Sequence, residues 1–323
     1  MLDIRRVRFL AELADRGTLA AVAEALNYSP SAVAQHVHAL ERELGVALVE
    51  PVGRRVQLTG PARILVEHAR RIFAELERAE ADVASALDEP RGTVRIAAFQ
   101  TAAWTLVPIL VTSLAARHPQ ITLEFTEGDN AENLASLSGL SSTRFDLVVF
   151  EDYPGLPIGL DAGLDIQDVA DDPMWLAVPA ALAAELDAAR DPLPQLDEAP
   201  WVMEPPGTSP RTWAAGVCQR AGFVPHIRYT TDDTMLHLSL VRAGVAVGLL
   251  PQLALDAPFS RDAGLNDVVR YPLAEGGVPL TRALRTATRR SAAADPVVVA
   301  VRTTLADAVR AHHRGRSTEH PDR

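Results

Sequence analysis

Apolar residues recur at helical spacing near the start of the chain, within residues 4–15, 18–26 and 30–42. In the third stretch, Val33, Val37 and Leu40 fall at i, i+4 and i+7, so they form one buried stripe. Ser29 can cap that helix through its hydroxyl. A basic segment then predicts a hairpin over residues 47–58. Short helices followed by a hairpin predict a winged helix-turn-helix, which places one helix in a DNA major groove.

Residues 61–88 carry a longer pattern with no glycine and no proline after Pro61. Two sets of apolar residues each recur every seven positions: Ala62, Ala69, Leu76 and Val83, and Leu65, Ile72, Ala79 and Ala86. Because the repeats persist along the whole segment, they predict a coiled-coil seam that pairs two chains. The expected dimer-interface residues are Leu65, Ile72, Leu76 and Val83. An amphipathic helix that lies on its own domain is the alternative.

From residue 92 onward, short apolar runs alternate with helical stretches. The predicted strands are 93–98, 121–127, 145–150, 174–178, 201–203, 226–230, 245–249, 268–271 and 283–288. The predicted helices are 101–117, 130–138, 180–189, 209–221, 233–243 and 297–312. This alternation predicts parallel-rich sheets flanked by helices. The acidic segment 161–173 is expected to cross between two such subdomains, and the polar residues after His312 are expected to be disordered.

The net charge of −11 fits a DNA-binding protein only once its position along the chain is known. Residues 1–60 carry equal numbers of arginines and carboxylates, so the acidic excess lies beyond residue 60. All 31 basic residues are arginines. A neutral N-terminal segment followed by an acidic remainder favours specific DNA binding of modest affinity, aided by dimerisation, over non-specific binding along nucleic acid.

The cysteine count and the start of the chain favour a cytoplasmic location. Cys218 is the single cysteine, so no intramolecular disulfide can form, and we expect it to be a small buried hydrophobe. The amphipathic start lacks the apolar run of a signal peptide. No apolar stretch has the length of a membrane span, so no membrane partner is expected.

Polar side chains on the helix at 30–42 face away from its apolar stripe, and we expect them to read base edges or touch phosphates. Arginines at the start of the chain and in the hairpin are expected to hold phosphates. The expected DNA contacts are Ser29, Ser31, Ala32, Gln35, His36, His38, Arg5, Arg54 and Arg55.

Together these motifs resemble the LysR-type transcriptional regulators over essentially the whole chain. The resemblance rests on Gly-Thr-Leu at 17–19, Ser-Pro-Ser-Ala-Val at 29–33, Leu-Glu-Arg-Glu-Leu-Gly-Val at 40–46, Gly-Arg-Arg-Val-Gln-Leu-Thr at 53–59 and Gly-Thr-Val-Arg-Ile-Ala-Ala at 92–98. The chain departs from the family pattern at Glu50 and Pro51, where many members have an arginine in the wing. No operator sequence is therefore carried over from the family.

The resemblance implies a multidomain protein. A winged helix-turn-helix (1–60) and a linker and dimerisation helix (61–89) would precede an α/β effector domain of two lobes, similar to type 2 periplasmic binding proteins. Lobe I would comprise 91–165 and 269–312, lobe II 166–268, and the disordered tail 313–323. The implied partners are double-stranded promoter or operator DNA, a small-molecule effector and further copies of the chain in a homodimer or homotetramer. RNA polymerase is a further candidate partner.

The family places its effector between the lobes, beyond strand ends and beside helix N-termini. The residues at matching positions are Gln100, Thr101, Asp129, Thr208, Ser209, Asp232 and Asp233. Several of these types are also common helix caps, so each could serve its helix alone. The acids would suit an amine or a ligand with several hydroxyls, whereas helix N-termini favour a carboxylate. The chemistry of the effector stays open at this point.

Other functions are disfavoured or left open. The sequence has no phosphate loop, no nucleophile elbow and no clustered metal ligands, so neither catalysis nor a cofactor or metal is expected. The winged helix disfavours a plain small-molecule binding protein. A constitutive DNA-binding oligomer, whose lobes bind no ligand, stays open as the alternative to an effector-controlled regulator.

Overall fold

The computed structural model describes residues 2–52, 55–86, 89–138, 145–159, 161–257 and 267–319. A small N-terminal domain comes first, then a long helix and a larger α/β domain. The N-terminal domain contains α1 (Ile4–Arg16), α2 (Leu19–Leu26), α3 (Pro30–Leu44), β1 (Val49–Val52) and β2 (Arg55–Leu58). The long helix is α4 (Gly60–Ser85).

Side-chain caps start each helix of the N-terminal part. The carboxylate of Asp3 and the hydroxyls of Thr18, Ser29 and Thr59 accept backbone N–H groups of the first turns. α1 ends at Gly17, whose φ of 74° lies in the left-handed region that favours glycine. Helices and hairpin together confirm the predicted winged helix-turn-helix.

The inward face of α3 holds this domain together. Val33 and Val37 are buried against Phe9 and Leu13 of α1, and Leu40 belongs to a second cluster beneath α4. β1 and β2 pair antiparallel and form the wing. The predicted apolar stripe therefore fixes which side of α3 faces outward.

The first half of α4 packs on its own domain. Ala62, Val66 and Ala69 are buried in the core that α1 contributes to, and Leu65 and Phe73 pack partly against it. Leu65, which we expect in a dimer seam, is half-buried against this core, so part of its side chain packs within its own chain. The i, i+4, i+7 spacing of the buried residues matches the face of a helix that covers a domain core.

Farther along α4, three large apolar side chains are exposed, whereas Ala81 is buried. Ile72, Leu76 and Val83 have relative exposures of 44%, 48% and 73% in the single chain. This second half contacts the α/β domain through a different face. There, the Glu77 carboxylate forms an ion pair with Arg289, with 3.0 Å between Nε and the nearer oxygen. The exposed apolar residues stay available to a second chain.

Lobe I of the α/β domain is built on parallel strands. Its elements are β3 (Gly92–Ala98), α5 (Gln100–Arg117), β4 (Ile121–Glu127), α6 (Asn130–Ser138) and β5 (Leu147–Asp152). β3 lies between β4 and β5 and is parallel to both. The carboxyl ends of all three strands therefore lie at the same edge of the sheet. The chain leaves β3 toward β4 on one side and returns to β5 on the other, and open α/β sheets bind ligands at such a point.

Two long strands join the lobes: β6 (Leu164–Pro179) and β13 (Thr281–Arg289). Lobe II contains α7 (Ala180–Ala183), a 3-10 helix (Leu193–Leu196), β7 (Pro200–Met203), α8 (Ser209–Arg220), β8 (His226–Thr230), α9 (Thr234–Arg242), β9 (Gly248–Pro251), α10 (Gln252–Asp256) and β10 (Val268–Pro272). A hairpin of β11 (Ala274–Glu275) and β12 (Val278–Pro279) follows. The last helix is α11 (Pro296–Glu319).

The strand pairing moves the lobe boundaries away from those expected after residues 165 and 268. β6 pairs with β13 as far as Pro173, within the lobe I sheet, and only then with β9 and β10. β10 accordingly belongs to lobe II. The acidic segment 161–173 is mostly strand because arginines neutralise its carboxylates: Arg285 pairs with Asp168 at 2.7 Å, and Arg302 pairs with Asp165.

Two helix predictions also need correction. The helix expected over 180–189 ends at Ala183, because the Gln195 side chain bonds the backbone of Asp187 and holds a turn there. The tail expected to be disordered from residue 313 is helical to Glu319, since no proline interrupts α11 before Pro321. None of the described helices is long and apolar enough to cross a membrane.

Candidate functional site

The predicted DNA contacts on the outward face of α3 differ in solvent exposure and in hydrogen bonding. Ser31 and Gln35 are exposed, and Ala32 is half-buried. The Ser29 hydroxyl accepts the backbone N–H of Ala32 at 3.2 Å and lies 2.9 Å from the Ser31 hydroxyl. Gln35 has no hydrogen bond to another described residue, so both ends of its amide are free to meet a base edge.

His36 is held in an aromatic cluster. Its ring stacks on Phe9, with centroids 4.2 Å apart and planes 9° from parallel, and Tyr28 meets both rings edge-on. The expected freely projecting His36 is therefore half-buried, because Phe9 of α1 offers its ring face at this position. Stacking fixes the angle between α1 and α3.

His38 and Glu41 connect α3 to the wing. His38 Nδ1 lies 2.7 Å from one Glu41 oxygen, and the other oxygen accepts the backbone N–H groups of Leu48 and Val49 at 2.8 and 3.2 Å. Burial alone would raise the pKa of Glu41, but these hydrogen bonds lower it overall. Glu41 therefore stays ionised and positions the start of the wing.

Arginines flank this face. Arg6 and Arg42 line a groove of about 370 Å³ together with Gln35, His36 and His38. Arg42 was missed in the sequence, although it lies seven residues after Gln35 and therefore on the same helical face. Arg5 is exposed in the first turn of α1. Arg54 and the side chain of Arg55 lie outside the described residues.

A cavity of about 540 Å³ lies between the lobes. Lobe I supplies the start of α5 and the segments that follow β4 and end β5, and lobe II supplies the start of α8 and residues before α9. Of the predicted effector residues, Gln100, Thr101, Asp129, Thr208, Ser209 and Asp232 line this cavity. Asp233 instead caps α9, where one oxygen accepts the N–H groups of Met235 and Leu236.

One predicted residue already connects the lobes. The side-chain oxygen of Gln100, at the start of α5, accepts the backbone N–H of Thr234 at the start of α9, at 3.1 Å. A ligand that contacts either partner would compete with this hydrogen bond. This hydrogen bond is a direct polar contact between the lobes at the wall of the cavity.

Arg282 lies at the floor of the cavity and is only 3% exposed. Its Nε and Nη2 donate to Asp172 at 2.9 and 2.8 Å, and Nη2 also donates to the Thr101 hydroxyl at 2.6 Å. Nη1 donates to Glu151, and the guanidinium carbon lies 5.0 Å from the Phe99 ring centroid. Each nitrogen of this guanidinium therefore has a protein partner.

The two carboxylates beside Arg282 are also buried. Burial raises the pKa of Glu151 and of Asp172, and the charge of Arg282 opposes that shift. Glu204, across the cavity, raises the pKa of Glu151 further. Two carboxyl groups thus share one guanidinium, and their raised pKa values favour uptake of a proton by one of them.

Sequence reasoning missed Arg282, Glu151 and Glu204. Arg282 lies one residue before the strand predicted at 283–288, and Glu151 one residue after the strand predicted at 145–150. The available signal was the position of Glu151 at the carboxyl end of a predicted strand, where ligand sites collect. Three aromatic residues, Phe99, Tyr153 and Trp213, line the cavity, whereas Trp201 is fully buried in lobe II.

The lobes hold one thiol. Cys218 is buried on α8, and burial raises its pKa to about 12. Among the described residues, no group of three or more His, Cys, Asp or Glu side chains is arranged to hold a metal ion.

Two family models match the chain, and together they cover both domains. One, described as the LysR substrate binding domain, matches residues 87–310. The other, described as a bacterial regulatory helix-turn-helix protein of the lysR family, matches residues 4–63. The first of these extends over more than half of the chain.

Curated proteins of similar sequence are transcription regulators by name. HTH-type transcriptional regulator TfdS of Cupriavidus pinatubonensis is 28% identical over 301 residues, covering 90% of this chain and 98% of that protein. A probable hydrogen peroxide-inducible genes activator of Mycobacterium avium is 29% identical over 80% of each chain.

Solved structures share the fold of the full chain. A cysteine-to-aspartate variant of full-length OxyR from Pseudomonas aeruginosa has a TM-score of 0.66 at 20% identity, covering 96% of this chain and 95% of that one. HinK, a LysR family regulator from the same species, has a TM-score of 0.55 at 20% identity, covering 94% and 98%. The chain therefore belongs to the LysR family of bacterial regulatory helix-turn-helix proteins, DNA-binding regulators of transcription that carry an effector-binding domain.

Proposed function

We propose that the protein binds operator DNA as a homodimer through α3 and the wing, and that a small molecule in the interlobe cavity controls its output. The observation that carries this proposal is the Gln100–Thr234 hydrogen bond between the lobes at the wall of a 540 Å³ cavity. A ligand there would shift the equilibrium between lobe spacings by its different affinity for each. A constitutive DNA-binding oligomer would have no such response.

On the DNA-binding face we assign two kinds of contact. Exposed Gln35 would read a base edge in the major groove, since its amide can both donate and accept. Exposed Arg5, at the start of α1, would hold a phosphate. Ser29, Ser31, Ala32, His36 and His38 complete the proposed contact surface.

The matched pair Gln35→Ala and Arg5→Ala tests this assignment. We expect Gln35→Ala to cost about 1–3 kcal/mol at the preferred base pair and to relax preference there. Arg5→Ala should weaken binding to all sequences alike and lower the salt slope by about one. The measurement is fluorescence anisotropy on the chain's own upstream DNA and a scrambled duplex, at several salt concentrations.

Two outcomes would contradict the proposal. Identical behaviour of the variants would remove the division between base reading and phosphate binding. Failure of the wild-type protein to select any sequence from a random duplex library would overturn the assignment of α3 as a recognition helix.

Peroxide induction, which the name of the Mycobacterium avium relative carries, is not proposed for this chain. A peroxide-reactive cysteine needs an accessible thiolate. Cys218 is fully buried, and its pKa is raised to about 12, so it is a neutral thiol at physiological pH. A reversibly bound molecule in the cavity is the proposed signal instead.

A further inference from the structure

The charged groups around the interlobe cavity are strongly unequal. The carboxylates that line it are Glu127, Asp129, Glu151, Glu204 and Asp232. Among the lining residues the structure describes, Arg282 is the one cationic side chain. Its guanidinium is saturated by Glu151, Asp172 and Thr101, so it offers no free donor to a ligand carboxylate.

Most of the helix N-termini that could attract an anion are already occupied. At α6, Asp129 accepts the N–H groups of Ala131 and Glu132. At α9, Asp233 and the Gln100 side chain fill the same role. Because these caps are carboxylates and an amide oxygen, the dipoles of α6 and α9 are satisfied by the protein. α8 is capped by the neutral hydroxyl of Thr208, and α5 starts without a side-chain cap.

Among the residues that the structure describes, three of the lining carboxylates have no side-chain partner. The carboxylates of Glu127 from lobe I and of Glu204 and Asp232 from lobe II make no hydrogen bond or ion pair, although the Arg211 guanidinium donates to the backbone carbonyl of Glu204 at 2.8 Å. Carboxylates that face a shared cavity without counter-ions repel one another. Water weakens this repulsion at Glu127 and Asp232, which are exposed, and less so at Glu204, which is half-buried. A cation in the cavity would remove this repulsion and attract both lobes.

Aromatic rings complete the surroundings that suit a cation. Trp213, 3% exposed, and Tyr153 both line the cavity, with ring centroids 5.4 Å apart. Ammonium and guanidinium groups are attracted to such ring faces. The uncapped start of α5 leaves room for one ligand acceptor, such as a hydroxyl or carbonyl oxygen.

We propose that the effector is a cationic amine, which binds between Glu204 and Asp232 of lobe II and Glu127 of lobe I and draws the lobes together. This inference rests on the cavity being the effector site, and it names the chemical class of the effector. It reverses the expectation that helix N-termini alone would give, because the chain's own carboxylates cap two of them.

Three four-carbon probes that differ in charge test the proposal. They are 1,4-diaminobutane, 4-aminobutyrate and succinate, each titrated into the full-length protein at neutral pH with melting temperature and calorimetry as readouts. We expect the diamine to stabilise the protein most, the zwitterion less and succinate not at all. A ligand that binds the folded protein raises its stability by RT ln(1 + [L]/Kd), so the thermal shift follows affinity. Glu204→Gln should weaken diamine binding about tenfold, as for loss of a charge-assisted hydrogen bond.

Glu198→Gln is the matched control, since Glu198 is an exposed lobe II carboxylate outside the cavity. It should leave diamine binding unchanged. Stabilisation by succinate above that by the diamine, an absence of any diamine effect, or equal loss in both variants would each overturn the cationic assignment. Sequence-specific DNA binding, measured on the same samples, separates these outcomes from failure of the regulator function itself.

Discussion

Arg282 organises the interior of the cavity by itself. Its planar guanidinium bridges Asp172 on β6, Glu151 on β5 and Thr101 on α5, and it lies over the Phe99 ring. A lysine has no such fork and would leave some of these groups unpaired. Because removing one member of a buried ion pair typically costs about 3–5 kcal/mol, the side chain serves as a structural centre first. A ligand would instead meet the other carboxylates that line the cavity, which are Glu127, Asp129, Glu204 and Asp232.

Cys218 allows a prediction at the same scale. A thiol whose pKa is raised to about 12 by burial is protonated throughout the physiological range, and only the thiolate reacts. We expect native protein to react with Ellman's reagent at least about a hundredfold more slowly than protein unfolded in guanidinium, on the assumption that reaction requires opening of lobe II. Cys218→Ala should show the same DNA affinity as wild type before and after peroxide treatment. A peroxide-dependent change that Cys218→Ala abolishes would contradict this.

Single residues also show where sequence reasoning stopped. Gln100, Thr101, Asp129, Thr208, Ser209 and Asp232 were found because they follow predicted strands or precede predicted helices. Arg282 could not be found that way, because its partners Glu151 and Asp172 lie 131 and 110 positions away in the chain. His36 differed from expectation for a similar reason, since the ring that holds it comes from α1.

Among the elements, α4 combines two roles along one helix. Its first half covers the winged-helix core, and its second half exposes Ile72, Leu76 and Val83. Apolar side chains of this size are rarely left in a row on a solvated helix without a partner. The dimer interface that we propose therefore begins near Ile72, later than the heptads alone predicted.

Leu76→Asp tests that interface. A carboxylate in a paired apolar seam loses its water without gaining a counter-ion, so we expect the dimer dissociation constant to rise at least about a hundredfold. Arg71→Asp is the control, because five residues at about 100° each place it on the far side of the helix. Light scattering over a dilution series measures both. Unchanged mass for Leu76→Asp, or equal dissociation of the two variants, would remove this face of α4 from the interface.

Strands were predicted less completely than helices, and β6 shows why. Its second half was predicted because it is apolar, whereas the first half is acidic and was expected to be a connecting segment. Asp165 and Asp168 pair with Arg302 and Arg285, which come from α11 and β13. Local composition could not reveal this neutralisation, because the arginines lie more than a hundred residues later.

On the scale of the whole molecule, β13 links the cavity to the linker helix. Arg282, near its start, lies at the cavity floor, and Arg289, at its end, pairs with Glu77 of α4. Ser291 also donates a hydrogen bond to Glu77. Seven residues at about 3.4 Å each separate the two arginines by about 24 Å. We propose that a change at the cavity floor shifts α4, and with it the spacing of the DNA-binding domains, through this one continuous strand.

Glu77→Gln would weaken this link while leaving both ends intact. The Glu77 and Arg289 side chains are 29% and 16% exposed, so we expect a loss of about 0.5–1.5 kcal/mol, which corresponds to hydrogen exchange roughly 2–12-fold faster in the second half of α4. Glu80→Gln, at an exposed neighbour on the same helix, should leave exchange unchanged. In the presence of 1,4-diaminobutane, Glu77→Gln should keep the wild-type thermal shift but lose most of the ligand-dependent change in DNA affinity. If α4 exchange and the DNA response both matched wild type, the Glu77–Arg289 contact would not couple the two domains, and the signal would have to pass through the dimer interface instead.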